Sequence, residues 1–176
     1  MRRLAMWTLA LGLLVAAPAA AEEAADDLRL TVETMLGGLE TTATAEQWAA
    51  LGEGAAPILL EIAGDESQRK STRARAVAAL GNFGQPEVVS FLEGLLAPGG
   101  DKVLQRKALF ALAKAGGADQ LERIAGFLGS EDTTLREAAV HALGEIGTPA
   151  AKAKLEAHRA GESSTAVLEA IDEELS

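Results

Sequence analysis

The chain is 176 residues long and carries 26 acidic against 16 basic residues, a formal net charge of −10 at pH 7. A surface with this excess of carboxylates repels the phosphate backbone, so nucleic acid is excluded as a partner. The sequence contains no cysteine, which excludes disulfides, thiolate metal sites, cysteine nucleophiles and a lipid anchor attached to cysteine.

Residues 1–21 are typical of a secretory signal peptide. Two arginines precede an apolar stretch over residues 4–17, and Ala19 and Ala21 supply the small residues required at the cleavage site. Cleavage there leaves 14 basic against 26 acidic residues, a net charge of −12. We therefore expect a periplasmic or secreted protein that meets the membrane only during export. An uncleaved membrane anchor is the alternative, although the apolar stretch is barely long enough to span a bilayer.

Residues 22–43 predict a capping helix at the N-terminal end of the mature chain. Its apolar residues recur at helical spacing: Leu28, Val32, Met35, Leu36 and Leu39. One side of this helix is therefore expected to cover the domain that follows.

From residue 44 to 176 the sequence repeats itself with a period of 31 or 32 residues. Three sets of residues superpose in this frame: Ala76, Ala108 and Ala139; Leu80, Leu112 and Leu143; Gly84, Gly116 and Gly147. One period before Leu80 lies Trp48, which we therefore expect to be buried. The copies span about 44–66, 72–98, 103–129 and 134–160, and a closing helix spans 164–175.

Each copy is predicted to be a pair of helices with an apolar stripe on each. Because one pair alone cannot bury both stripes, the copies must stack on one another. We therefore predict an all-α, right-handed α-solenoid of about four hairpins with a capping helix at each end. Gly81 and Gly84 are expected to end a first helix with positive φ, and Thr134 with Glu137 predicts a capping box.

The pattern R-x-x-A-x-x-A-L-G-x-x-G-x-P-E at residues 73–87 resembles the short HEAT-like repeat first described in phycobilisome lyases. Residues 136–149 match almost as well, while the third copy departs from the pattern, with Gln105 in place of the arginine. The resemblance covers about residues 44–176. It implies a helical scaffold and carries little information about chemistry.

The leading functional hypothesis is a non-catalytic, exported scaffold that binds a protein or peptide through the surface lined by the second helices. The expected contact residues on that surface are Glu87, Ser90, Phe91, Asp119, Glu122, Arg123 and Lys154. We expect no catalytic residue, metal or cofactor. Two alternatives stay open: a bilin or tetrapyrrole lyase-like enzyme, which the resemblance implies, and a structural subunit of an envelope assembly. The export signal, the absence of tyrosine and too few repeats for a deep pocket weigh against an enzyme.

Other polar residues are expected to have structural roles. His141 and His158 lack the spacing of a metal site, and we expect them to pack within the last full copy. Asp132 and Arg136 are expected to join a ladder between repeats, in which loop aspartates cap the next helix. The basic run at residues 69–75 is either a solvated helix start or a docking patch for acidic groups.

Overall fold

The computed structural model describes residues 16–38 and 43–176, so most of the predicted signal peptide lies outside the described residues. The described chain contains ten α-helices and no strand, which confirms the predicted all-α solenoid. The helices are α1 (Ala16–Gly37), α2 (Ala45–Ala50), α3 (Ala55–Gly64), α4 (Lys70–Leu80), α5 (Pro86–Leu95), α6 (Lys102–Gly116), α7 (Leu121–Ala125), α8 (Thr133–Ile146), α9 (Pro149–Arg159) and α10 (Thr165–Leu175). Short 3₁₀ segments, Gly117–Gln120 and Gly126–Gly129, flank α7.

The N-terminal helix α1 continues without a break through the predicted cleavage position after Ala21. None of the described helices is long and apolar enough to cross a membrane. Cleavage therefore stays a prediction from the sequence.

The hairpins stack so that their first helices form one layer. Helices α4, α6, α8 and α10 pack directly on one another in this order, while the second helices α3, α5, α7 and α9 pack mainly on first helices. We call the outward side of α4, α6, α8 and α10 the first-helix face, and that of α3, α5, α7 and α9 the second-helix face.

A single apolar core runs between the two layers. Leu80, Leu112 and Leu143, which superpose in the repeat frame, are all fully buried, and Trp48 is 4% exposed. The predicted burial of Trp48 is thus confirmed. Every buried apolar residue described, from Val32 in α1 to Ile171 in α10, belongs to this one cluster.

Close packing between first helices, and not a positive φ, explains the glycine at position 81. Gly81 has an ordinary φ of −59°, so the expectation of a positive φ there is wrong, as it is for Gly84. A Cβ atom on Gly81 would instead lie 2.9 Å from the Cα of Ala111 in the neighbouring first helix. Gly147, with φ of +63°, is the residue that ends a first helix in the left-handed conformation.

A recurring hydrogen bond ties each first helix to the end of the preceding hairpin. The donor is the residue at the arginine position of the repeat, and the acceptor is a backbone carbonyl. The three bonds are Arg73 Nε to Ala63 O (3.0 Å), Gln105 Nε2 to Ala97 O (2.8 Å) and Arg136 Nη1 to Ser130 O (2.9 Å). Gln105 therefore takes over the arginine's structural role in the third copy.

Aspartates cap two of the first helices. The Asp132 carboxylate accepts hydrogen bonds from the backbone N–H groups of Thr134 and Leu135, so α8 starts earlier than predicted. The capping box expected at Thr134 and Glu137 is therefore wrong, because Asp132 already occupies the N-cap position. A capping box is found at the start of α2, between Thr44 and Gln47.

The same aspartates link consecutive repeats. Asp101 pairs with Lys70 at 2.6 Å, and Asp132 pairs with Lys102, a lysine at the start of the previous first helix. The expected ladder is therefore present with different members, because Asp132 pairs with this lysine and not with Arg136. Lys102 and Thr134 hold the pKa of Asp132 well below its ordinary value.

Candidate binding site on the first-helix face

The outward positions of two neighbouring first helices carry basic and apolar side chains. On α6, Val103, Lys107, Phe110 and Lys114 recur at intervals of three or four residues and are all exposed, so they form one stripe. Val103 is 43% and Phe110 is 42% exposed, an unusual degree for large apolar side chains in the described part of this chain. The stripe therefore presents apolar surface flanked by positive charge.

A cavity of about 550 Å³ opens at the N-terminal end of this face. It lies between the end of α1, the start of α2 and the outward sides of α4 and α6. The residues that define its character are Met35, Leu36, Trp48, Arg75, Lys107 and Lys114. Its lining thus combines an apolar part from α1 and α2 with cationic side chains from α4 and α6.

Two of the three cations are held in place by uncharged groups. Arg75 Nη1 donates a hydrogen bond to the Leu36 carbonyl at 2.8 Å, and Lys114 Nζ donates to Asn82 Oδ1 at 3.2 Å. Over residues 16–38 and 43–176, neither these two residues nor Lys107 forms a salt bridge. No carboxylate among the described residues lines the cavity, so positive charge is concentrated here in an acidic protein.

The second-helix face, which the sequence suggested as the binding surface, pairs most of its charges internally. Arg123 lies 3.2 Å from Glu93 of the preceding hairpin, and Lys154 lies 2.7 Å from Glu122. These pairs bridge consecutive second helices. They therefore pair three of the five charged residues that were expected to contact a partner: Glu122, Arg123 and Lys154.

The other residues predicted on that face differ in their exposure. Glu87 and Ser90 are exposed on α5, and Asp119 is exposed on a 3₁₀ segment. Phe91 is half-buried and packs against the core cluster, close to Gly64 of the preceding second helix. Its ring is thus partly used in joining α3 to α5.

The two histidines each have a carboxylate partner. His141 Nδ1 lies 2.8 Å from Glu174 Oε1 on α10, and His158 Nε2 lies 3.1 Å from Glu162 Oε2. Neither glutamate follows from the repeat frame, because both belong to the closing segment. Across the described chain, no cluster of three or more potential ligands could hold a metal ion.

Glu162 is the centre of the most buried charge cluster. Its carboxylate, 3% exposed, accepts from Arg136 Nε at 2.8 Å and Nη2 at 3.0 Å, and from the backbone N–H of Ser163 and Ser164. The Arg136 guanidinium, aided by these backbone donors, lowers the pKa of Glu162 to about 2. The geometry fastens the loop before α10 to α8, a structural role.

The basic run at residues 69–75 does not form a single patch. Lys70 pairs with Asp101, Arg73 donates to the Ala63 carbonyl, and Arg75 is the one basic residue of this run that lines the cavity. The cavity's other cations, Lys107 and Lys114, come from the next repeat. Lys107 superposes on Arg75 in the 32-residue frame, a signal from which this pair could have been found.

A family model for HEAT repeats matches residues 14–113 and 95–176. The chain belongs to the HEAT repeat family. No curated protein matches its sequence.

Two solved structures show how this HEAT repeat chain compares in fold. The complex of CpcE and CpcF of phycocyanin lyase from Nostoc sp. PCC7120 is similar with a TM-score of 0.60 at 18% identity, over 90% of this chain and 91% of that one. Human deoxyhypusine hydroxylase in complex with glycerol aligns over 90% and 89% of the two chains at 18% identity, with a TM-score of 0.28. The first likeness supports the predicted resemblance to the lyase-type repeat.

That likeness corrects the expectation that the chain is not an enzyme. The same architecture, over about nine-tenths of both chains, occurs in a lyase, so the fold gives no ground for excluding catalysis. A cavity of about 550 Å³ is present where the end of α1, which lies outside the repeats, meets α2, α4 and α6.

Proposed function

We propose that this protein is a helical repeat subunit of a lyase-like assembly, in which it binds a partner protein through the first-helix face. HEAT repeats build extended surfaces suited to protein partners. The fold it shares with phycocyanin lyase, whose structure is a complex of two proteins, supports an assembly of this kind.

One observation carries the choice of face. Val103 and Phe110 are exposed beside Lys107 and Lys114 on α6, whereas Glu122, Arg123 and Lys154 on the other face are engaged in salt bridges. Aromatic side chains are enriched in protein interfaces, and lysines near them attract acidic partners during association. A partner segment that offers apolar and acidic side chains would complement this stripe.

The face is tested by photo-crosslinking in the native envelope fraction. A photoreactive phenylalanine analogue replaces Phe110 in one variant and Phe91 in a matched control on the second-helix face. We expect the same discrete adduct to form repeatedly from position 110 and not from position 91. Adducts from position 91 alone would show that the partner binds the second-helix face, on which Glu87 also lies.

A second variant separates contact from folding. The double substitution Val103→Ala and Phe110→Ala removes the apolar part of the stripe without touching the cavity lining. We expect partner binding to weaken at least about tenfold while the unfolding free energy stays within about 1 kcal/mol, as at surface positions generally. Unchanged binding would contradict the proposal.

A tetrapyrrole is the second candidate for what the assembly acts on. The likeness to phycocyanin lyase favours it, and a cavity of about 550 Å³ falls in the range of small-molecule sites. Titration of the purified protein with biliverdin should shift the visible absorbance of the pigment. An unchanged spectrum, in the presence and absence of the crosslinked partner, would contradict this candidate.

Export to the periplasm or beyond completes the proposal. It rests on the signal-like plan of residues 1–21. N-terminal sequencing of the protein from the envelope fraction should begin at or near Glu22. An intact Met1 would contradict export by cleavage and favour the membrane anchor.

A further inference from the structure

We infer that the cavity beside Trp48 is a binding site for a small organic carboxylate with an apolar body. The inference does not require the proposed partner protein, because the cavity lining excludes Val103 and Phe110, although Lys107 and Lys114 belong both to the lining and to the stripe. The tetrapyrrole candidate would occupy this same cavity, so the experiment below uses a probe that is not a pigment. The ligand would enter the cavity, whereas a partner protein would lie across the exposed stripe on α6.

The size and lining of the cavity indicate that the ligand has an apolar body. Its volume of about 550 Å³ falls within the range of sites that enclose most of a small molecule. Met35 is half-buried, and Leu36 and Trp48 are almost fully buried around it. Alanines of α4, among them Ala78, give flat walls with no polar group. An apolar body buried here gains about 25 cal/mol for each Å² removed from water.

The cations that line the cavity indicate that the ligand is negatively charged. Arg75 has five N–H donors, and the Leu36 carbonyl takes a bond from Nη1, which orients the guanidinium at the cavity without neutralising it. Asn82 holds Lys114 in the same way through an uncharged oxygen. No carboxylate within residues 16–38 and 43–176 compensates these two charges, and a bound carboxylate would do so with short, charge-assisted hydrogen bonds.

The surrounding charge explains why such a cluster signifies a ligand. Seven of the 14 described lysines and arginines form a salt bridge, as Lys70, Lys102 and Lys154 do, and three of the other seven line this one cavity. Three cations that line one cavity with no described carboxylate among them repel one another, which costs stability unless an anion is bound. Sites that sacrifice stability in this way are characteristic of function.

The test uses decanoate as the probe and Trp48 as the reporter. In the full chain with Trp7→Phe, Trp48 is the remaining tryptophan, and it lines the cavity. We expect decanoate to change Trp48 emission saturably and with a one-to-one stoichiometry by calorimetry. Decanol, which lacks the charge, and acetate, which lacks the apolar body, should each bind at least about tenfold more weakly.

Charge variants tie the binding to the named side chains. Lys107→Gln and Arg75→Gln should each weaken decanoate binding about three- to tenfold, and affinity should fall as salt is added, because the ion pairing is partly screened. Lys152→Gln is the matched control, since Lys152 is exposed on α9, forms no salt bridge to a described residue and lies outside the cavity. It should bind decanoate as the parent does. Lys107→Arg should restore most of the affinity.

Three results would overturn the inference. Decanol binding as tightly as decanoate would make the cavity merely apolar. Equal losses in Lys107→Gln and Lys152→Gln, with melting temperatures unchanged, would reduce the effect to net charge. Binding of an acidic peptide with the same dependence on Lys107, and no binding of decanoate, would assign the cations to a protein partner. Failure of the crosslinking from position 110 would leave this inference intact.

Discussion

On the second-helix face, Arg123 pairs with Glu93 and Lys154 pairs with Glu122, each bridging two hairpins. On the first-helix face, Arg75, Lys107 and Lys114 line one cavity without a carboxylate partner in the described chain. Both faces are built from the same repeat, so the fold alone does not explain why charges are paired on one face while cations on the other lack a described partner. The paired charges join consecutive hairpins, whereas the three cations at the cavity have no described carboxylate partner and are the ones we propose to contact a ligand.

The core that supports both faces gives the largest expected effect. Leu112 is fully buried between the layers in the middle copy, and truncation of a buried leucine costs about 2–5 kcal/mol. Leu112→Ala should therefore lower the unfolding free energy by this amount in chemical denaturation. Glu122→Ala, on the surface of the second-helix face, should cost under about 1 kcal/mol. Equal losses would contradict the repeat register.

The two layers should also differ in their tolerance of a single methyl group. A Cβ on Gly81 would lie 2.9 Å from the Ala111 Cα, whereas a Cβ on Gly94 in α5 would meet no atom within 4 Å. Gly81→Ala should destabilise by about 1–3 kcal/mol through overpacking, and Gly94→Ala should stabilise by about 0.4–1 kcal/mol. Both are read from thermal melts. A stabilising Gly81→Ala would show that the first helices are less closely packed than described.

The buried, paired carboxylate of Glu162 should make the stability of the protein depend on pH. Its pKa is about 2 in the folded protein, against an ordinary value of 4.5. A carboxylate with a depressed folded pKa stabilises above its unfolded pKa, and that stabilisation is lost as the pH falls from about 4.5 towards 2. Glu162→Gln should remove this part of the acid destabilisation and cost about 1–3 kcal/mol near neutral pH. An unchanged acid profile would show that Glu162 is not paired in solution.

The smallest effects compare the two faces directly. Lys154→Gln removes a partner of Glu122 and should cost about 0.2–1 kcal/mol. Lys107→Gln removes one of three neighbouring cations and should leave the unfolding free energy unchanged or slightly raised in the absence of ligand. Urea titrations at low salt measure both. A larger loss in Lys107→Gln than in Lys154→Gln would show that Lys107 has a stabilising partner within the chain.

The fold was predictable because its determinants are periodic. Leu80, Leu112 and Leu143 recur at the repeat period and are all buried, and Trp48 follows from the same frame. Two features do not follow from the repeat period. Gly81 is required by a neighbouring helix and not by its own φ, and Glu162 is placed by a loop outside the frame.

The candidate site was only partly predictable. A stripe analysis assigned the outward residues of the second helices, but it could not show that Glu122 and Arg123 find partners one repeat away. The cavity depends on how α1, which lies outside the repeats, meets α2 and α4, a tertiary arrangement that the repeat period does not specify. Arg75 was noticed as part of a basic run, and its grouping with Lys107 and Lys114 appears only when α4 and α6 lie side by side.

Amide hydrogen exchange on the complex with the partner identified by crosslinking tests most directly whether the first-helix face is the working surface. We expect binding to slow exchange in peptides from α4 and α6, which carry Arg75 and Phe110, and to leave peptides from α5 and α9 unchanged. Slower exchange confined to α5 and α9, which carry Glu87 and Lys154, would contradict the account and return the binding site to the second-helix face.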